Sequence, residues 1–176
     1  SLRFDGMVTR TGNFDTESTD RLSLCWSGIG QHKDLINPCS YLNFVSAVAA
    51  GGSGVKPYVV DSISLGSGTT YRARTVSGNY VMSRSTAKTL KELMRNNVIV
   101  KYGAQNFPNL AVCAKSGTSQ VGGGAVSNAM FAGFVADENY PLAFIVVVEN
   151  GGYGSSTCVP ILSKVLAECK AVLDGK

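Results

Sequence analysis

The sequence predicts an α+β fold within the broad α/β class: an antiparallel β-sheet packed with helices. Three observations predict it. Apolar residues recur at spacings of three and four in three separate stretches, and short runs rich in Val, Ile and Phe lie between turn signals. The last three of those runs are joined by connections too short for parallel crossovers, which need a dozen residues or more.

Residues 1–37 are polar and turn-rich, with Gly6, Gly12, Gly28 and Gly30, and read as an irregular leading segment. A structureless stretch of that length is unusual in a compact domain, so the expectation is that further chain precedes it. Pro38 opens a helix whose stripe is Leu42, Phe44, Val45, Val48 and Ala49, and Gly51-Gly52 stop it. Lys56 to Leu65 reads as a strand that turns at Gly66-Ser67-Gly68 into a second one, Thr69 to Val76, making a hairpin. Ser83 or Ser85 can cap the next helix, which carries Ala87, Leu90, Met94 and Val98 on its apolar side and ends before Gly103. Strands follow at 110–118, 129–136 and 142–149. The last is continuously apolar and is expected to be a central strand buried on both faces. A closing helix over 158–173 places Ile161, Leu162, Val165, Leu166, Cys169 and Val172 inward. Its contact with the sheet is expected to bury Ile145, Val147, Leu162 and Val165.

Composition removes several function classes. Hydrophobic residues make up 44% of 176, enough for a real core, and the net charge is +4 with the basic residues scattered. No basic run interleaved with aromatics is present, so nucleic acid is not an implied partner. The longest apolar run, Leu142 to Val148, is far short of the ~20 residues a membrane-spanning helix needs. Five widely spaced cysteines (Cys25, Cys39, Cys113, Cys158, Cys169), no C-x-x-C pair and one histidine, His32, do not make a metal site. The cysteines read as buried thiols acting as small hydrophobes. No metal and no cofactor is expected.

The stretch with the most chemistry is Ala114-Lys115-Ser116-Gly117-Thr118-Ser119-Gln120, which runs into Gly122-Gly123-Gly124. On a strand, Lys115 and Gly117 face one way and Ser116 and Thr118 the other. An ammonium and hydroxyls together make a receptor for a carboxylate, and Gly117 lets another backbone come close. As a bare string it is equally the polar end of a strand.

In context, Lys115-Ser116-Gly117 resembles the third motif, K-[ST]-G, of the penicillin-binding proteins and serine β-lactamases. Met130-Phe131-Ala132-Gly133-Phe134-Val135 resembles that family's next strand, with the 142–149 run and the 158–173 helix following in order. Upstream, Gly28-Ile29-Gly30-Gln31 resembles its S-x-G-Q segment, and Pro38 with 47–57 its T-P helix and glycine turn. The resemblance implies the C-terminal part of one transpeptidase domain, spanning 1–176: an exported bacterial enzyme on the outer face of the cytoplasmic membrane, held by an N-terminal anchor. Its activity is serine-type D,D-transpeptidation, cross-linking peptidoglycan stem peptides that end in D-Ala-D-Ala, with β-lactams as mimics. By position, Lys115 supplies charge, Ser116 and Thr118 receive the carboxylate, Gly117 leaves room, and the Thr118 N–H is half of the oxyanion hole.

The family's nucleophile motif S-x-x-K and its S-x-N are not matched in their places. Ser85-Thr86-Ala87-Lys88 lies in the helix the family places after both, Ser53-Gly54-Val55-Lys56 in the glycine turn, and Ser77-Gly78-Asn79 at the hairpin end. No nucleophile is therefore expected in this chain. Two other classes stand beside the enzyme: a non-catalytic module that senses β-lactams or binds a partner, and a phosphate-binding domain using 51–56 or the 122–124 glycines. The phosphate reading lacks a G-x-x-x-x-G-K-[ST] string.

Overall fold

A computed structural model describes residues 2–14, 20–66, 68–107 and 109–175. The predicted turn residue Ser67 lies outside them. Strands β1 (Arg3–Phe4) and β2 (Met7–Val8) form a small hairpin. Helices are α1 (Arg21–Ser27) and α2 (Pro38–Ala49), followed by short strands β3 (Ser53–Val55), β4 (Ser62–Leu65), β5 (Gly68–Arg72) and β6 (Ser77–Tyr80). Then come α3 (Arg84–Asn97), a π-helical turn at Val98–Tyr102, strands β7 (Val112–Ser119), β8 (Asn128–Val135) and β9 (Ala143–Val148), and α4 (Gly154–Asp174).

The antiparallel sheet has the order β7-β8-β9. Alternation along the strands divides its two faces cleanly. Val112, Ala114, Ala129 and Phe131 face α4, where Cys158, Val159, Leu162 and Leu166 complete the main core. Cys113, Ala132 and Phe134 face the other way onto Val45 and Val48 of α2, with Leu90 and Met94 of α3 packed alongside. The result is three layers, α4, sheet, and α2 with α3. At the centre of the α4 side, Phe131 stacks on Phe144 at 6.2 Å and takes Tyr102 edge-on at 5.0 Å.

Several expectations are corrected. Among the described residues the apolar run at 143–148 is an edge strand and β8 the central one, because the ladder runs between sequence neighbours. Its even residues Phe144, Val146 and Val148 pack toward α4, so Ile145 meets the α2 side and Val147 is 41% exposed. On α4, Ile161, Val165 and Val172 are 42%, 51% and 62% exposed, and the inner stripe runs instead through 158, 159, 162 and 166. The helix starts at Gly154 and carries Pro160 inside it, a residue without an N–H to give back to the preceding turn.

The leading segment is not wholly irregular. Asp20 caps α1 by accepting from the Leu22 and Ser23 N–H groups, which holds its carboxyl below the usual range. Asp5 accepts from the Val59 and Val60 N–H groups at 2.6 and 2.9 Å, tying the first hairpin to the 59–60 segment. The predicted 56–65 strand is pared down to β4, and the 69–76 strand to β5. The glycine turn at 53–56 is in part a strand, β3, paired with β6 through Val55↔Ser77 and Ser53↔Tyr80. Ser83, not Ser85, caps α3. Of the cysteines, Cys113 and Cys158 are buried, and burial pushes both thiols up, whereas Cys25 and Cys39 are exposed.

Replacing Leu162 by Ala should cost ~2–4 kcal/mol, because it empties a fully buried site. Val165→Ala, one turn on and half exposed, should cost less than ~0.5 kcal/mol. Urea unfolding of the two variants beside wild type measures the difference.

Candidate functional site

The Lys115–Thr118 tetrad lies in the second half of β7, paired with β8 as Lys115↔Ala132 through Thr118↔Ala129. In an antiparallel ladder alternate residues aim their backbone groups at the neighbour or away from it. The Ala136 N–H donates to the Ala111 carbonyl, so odd residues of β7 serve β8 and even residues face the free edge.

That free edge is occupied step by step. Arg95 of α3 donates to the Val112 carbonyl at 2.9 Å. The Ser116 N–H donates to the Tyr102 hydroxyl at 3.0 Å, and the Ser116 carbonyl accepts from Lys115 Nζ at 2.7 Å. The Thr118 carbonyl accepts from Gln31 Nε2 at 3.2 Å. The Thr118 N–H points to the same edge and takes no partner among the described residues. Lys115, though on the opposite face from Ser116, folds its ammonium back over the strand edge.

Both hydroxyls of the motif already hold a protein partner. Ser116 Oγ lies 3.0 Å from the Tyr102 hydroxyl. Thr118 Oγ1 accepts from the Gly154 N–H at 3.1 Å, at the first turn of α4. Each retains capacity toward a further group, and the positive end of the 21-residue α4 backs the Thr118 side. Beside Thr118 opens a cleft of about 550 Å3 lined by Trp26, Ile29, Gln31, Gly152 and Tyr153 among others.

Two glycines at this end have opposite meanings. A Cβ on Gly154 would sit 2.2 Å from the Gly117 carbonyl oxygen and 2.7 Å from that of Met130, so only glycine lets α4 touch the sheet there. A Cβ on Gly117 would meet nothing closer than Met130 Cβ at 3.5 Å, an ordinary contact. Nothing among the described residues requires glycine at 117.

The three strings that imitate the missing motifs are placed apart from this arrangement. Ser85 and Lys88 are exposed on α3, with Ser85 Oγ bonded to its neighbouring cap Ser83 at 2.8 Å. The 53–56 and 77–79 strings pair with each other across β3 and β6, a ladder packed on α2. Sequence reasoning did not single out Tyr102, Arg95 or Gly154. Gly154 stands four residues ahead of the helix read at 158–173, and Tyr102 and Arg95 are ordinary members of their segments until the fold brings them to β7.

Gly154→Ala should lower stability by several kcal/mol, since backbone must move, while Gly117→Ala should leave it unchanged or raise it by ~0.5–1 kcal/mol. Thermal melting of both variants reads this directly.

The penicillin-binding protein transpeptidase domain family matches residues 9–167. Among solved structures, penicillin-binding protein A of M. tuberculosis superposes with a TM-score of 0.79 at 22% identity, over 90% of this chain and 37% of that one. The same protein is solved as imipenem and penicillin G acyl-enzyme complexes. The D,D-transpeptidase domain of a peptidoglycan glycosyltransferase from Eggerthella lenta gives 0.67 at 20% identity, over 90% and 37%. A penicillin-binding protein from Helicobacter pylori gives 0.65 at 20%, over 83% and 26%. The chain thus spans between about a quarter and little more than a third of these solved chains. No curated protein matches it in sequence. With its family match covering nine-tenths of the residues, the chain belongs to the penicillin-binding protein transpeptidase domain family.

Proposed function

We propose that this chain is the strand-bearing C-terminal part of a serine D,D-transpeptidase, and that β7 is the edge along which a stem peptide or a β-lactam lies. The observation that carries the reading is the free edge of β7, where the Thr118 N–H stands open beside the Lys115 ammonium and two hydroxyls. The ligand's carboxylate is received by Ser116 and Thr118, and Gly117 leaves its backbone room.

The nucleophile is supplied by residues upstream of this chain. Its serine oxygen adds to the penultimate D-Ala carbonyl, and the developing oxyanion accepts from the Thr118 N–H. Collapse breaks the peptide bond, releases D-Ala with the proton on its amine, and leaves an acyl-serine ester. The amine of a second stem peptide then takes the acyl group. Lys115 holds positive charge at the carboxylate end and next to the reacting centre. The relatives solved as acyl-enzymes support β-lactams as ligands of the complete protein. In the bacterial envelope such a protein works outside the cytoplasmic membrane, with its anchor in the upstream part. Among the described residues no helix is long and apolar enough to cross a membrane.

The chain by itself should not be labelled by a fluorescent penicillin on a denaturing gel. Labelling abolished by Ser85→Ala would put the nucleophile at 85 and overturn this assignment. In the complete polypeptide, Thr118→Val keeps the backbone N–H and loses one hydrogen bond to a charged group, which should slow acylation roughly ten- to hundred-fold. Lys115→Ala should be more severe, as it removes charge from both carboxylate and nucleophile. Second-order acylation rates check this, and unchanged rates in both variants would reduce the tetrad to a strand end.

A further inference from the structure

Tyr102 has no counterpart in the motif read from the sequence, yet it touches Ser116 twice. Its hydroxyl oxygen accepts the Ser116 N–H at 3.0 Å and lies 3.0 Å from Ser116 Oγ. A phenol has one proton to give. Either hydroxyl can be the donor in that contact, and in one of the two arrangements the phenol gives its proton to Ser116 Oγ. The serine oxygen is then an acceptor within the protein, and the serine's own proton is left to donate outward. Thr118 is arranged the same way by a different donor, since its Oγ1 accepts the Gly154 N–H and keeps its proton. In that arrangement two adjacent hydroxyls on one face of β7, each fed by a donor from behind, present two protons to a ligand. That polarity suits an anion and penalises a ligand that offers donors.

The phenol is not free to leave. Tyr102 is 9% exposed, with its ring edge-on to Phe131, the register partner of Ser116. It closes the π-helical turn after α3, and Gly103 follows at a φ of 80°. Its carbonyl accepts from Asn106 Nδ2, and the Asn106 carbonyl accepts from Ser163 Oγ of α4.

We propose that Tyr102 is a positioning residue that holds Ser116 as a hydrogen-bond donor to the ligand's carboxylate. This rests on the proposed function, and the experiment separates the two. Acylation of the complete polypeptide is measured with a penicillin bearing a free carboxylate and with its carboxyl methyl ester. Tyr102→Phe keeps the ring and its packing and removes the hydroxyl. Its acid-to-ester preference should shrink about ten-fold, the ester rate itself staying within about two-fold of wild type. Ser116→Ala should shrink the same ratio, and Tyr102→Phe added to it should do nothing more. Because the ratio is taken within one variant, a smaller folded fraction does not alter it. Equal losses on acid and ester, or losses in the double variant that multiply, would overturn the role of Tyr102. A wild-type polypeptide that neither penicillin labels would instead refute the proposed function, and the role of Tyr102 with it.

Discussion

The backbone of Gly154 lies against the carbonyls of Gly117 and Met130, and most of the arrangement at the site follows from that contact. A side chain of even one carbon there would hold the first turn of α4 away from the sheet. With glycine, the helix comes down onto the β7–β8 pair, its first amide reaches Thr118 Oγ1, and Cys158, Leu162 and Leu166 are carried into the core beneath. Packing and site chemistry thus share one anchor. The same descent brings Ser163 to the Asn106 carbonyl and so braces the turn that carries Tyr102.

Around that anchor, β7 is an asymmetric strand. One side is fully engaged by β8, and the other is capped from Val112 to Thr118 by side chains drawn from α3, the π-helical turn and the leading segment. Capping by side chains differs from capping by another strand. Side chains leave single backbone groups open, and at the exposed end of the motif the group without a partner among the described residues is the Thr118 N–H. An edge capped in this way presents an open donor at the end where the motif lies.

The order of the elements was legible because it depends on local signals: Pro38 and the glycines at 51 and 52, the Ser83 cap, and alternation through 112–119 and 128–135. What was not legible depends on tertiary choices. The run at 143–148 is as apolar as a central strand, but its place in the sheet is decided by which neighbours are present, and period-two patterning cannot distinguish an edge from a centre. On α4 the sequence offers two overlapping apolar stripes, and Gly154 selects between them by fixing how the helix meets the sheet. The seven-residue α1 is stabilised by a single capping aspartate and is too short to show a period. At the site, the tetrad was visible as a string with a known resemblance. Gln31 was visible only as part of the 28–31 resemblance, not as a support of β7, and Arg95 and Tyr102 were not visible at all as supports, since the three reach β7 across 87, 17 and 14 residues of chain.

The position of β9 carries a cost in solution behaviour. Since the Val135 N–H donates to the Leu142 carbonyl, alternation turns the backbone groups of Ala143, Ile145 and Val147 outward, away from β8. Across Ala143–Val148 there is no charge, no proline and no glycine, and among the described residues no bulge interrupts its pairing. These are the devices by which sheet proteins ordinarily keep an outer strand from recruiting another chain. Five β-prone residues after an alanine, in one uninterrupted row, are the composition of a self-associating segment. Left uncovered, an edge of this composition is a template for intermolecular strand addition.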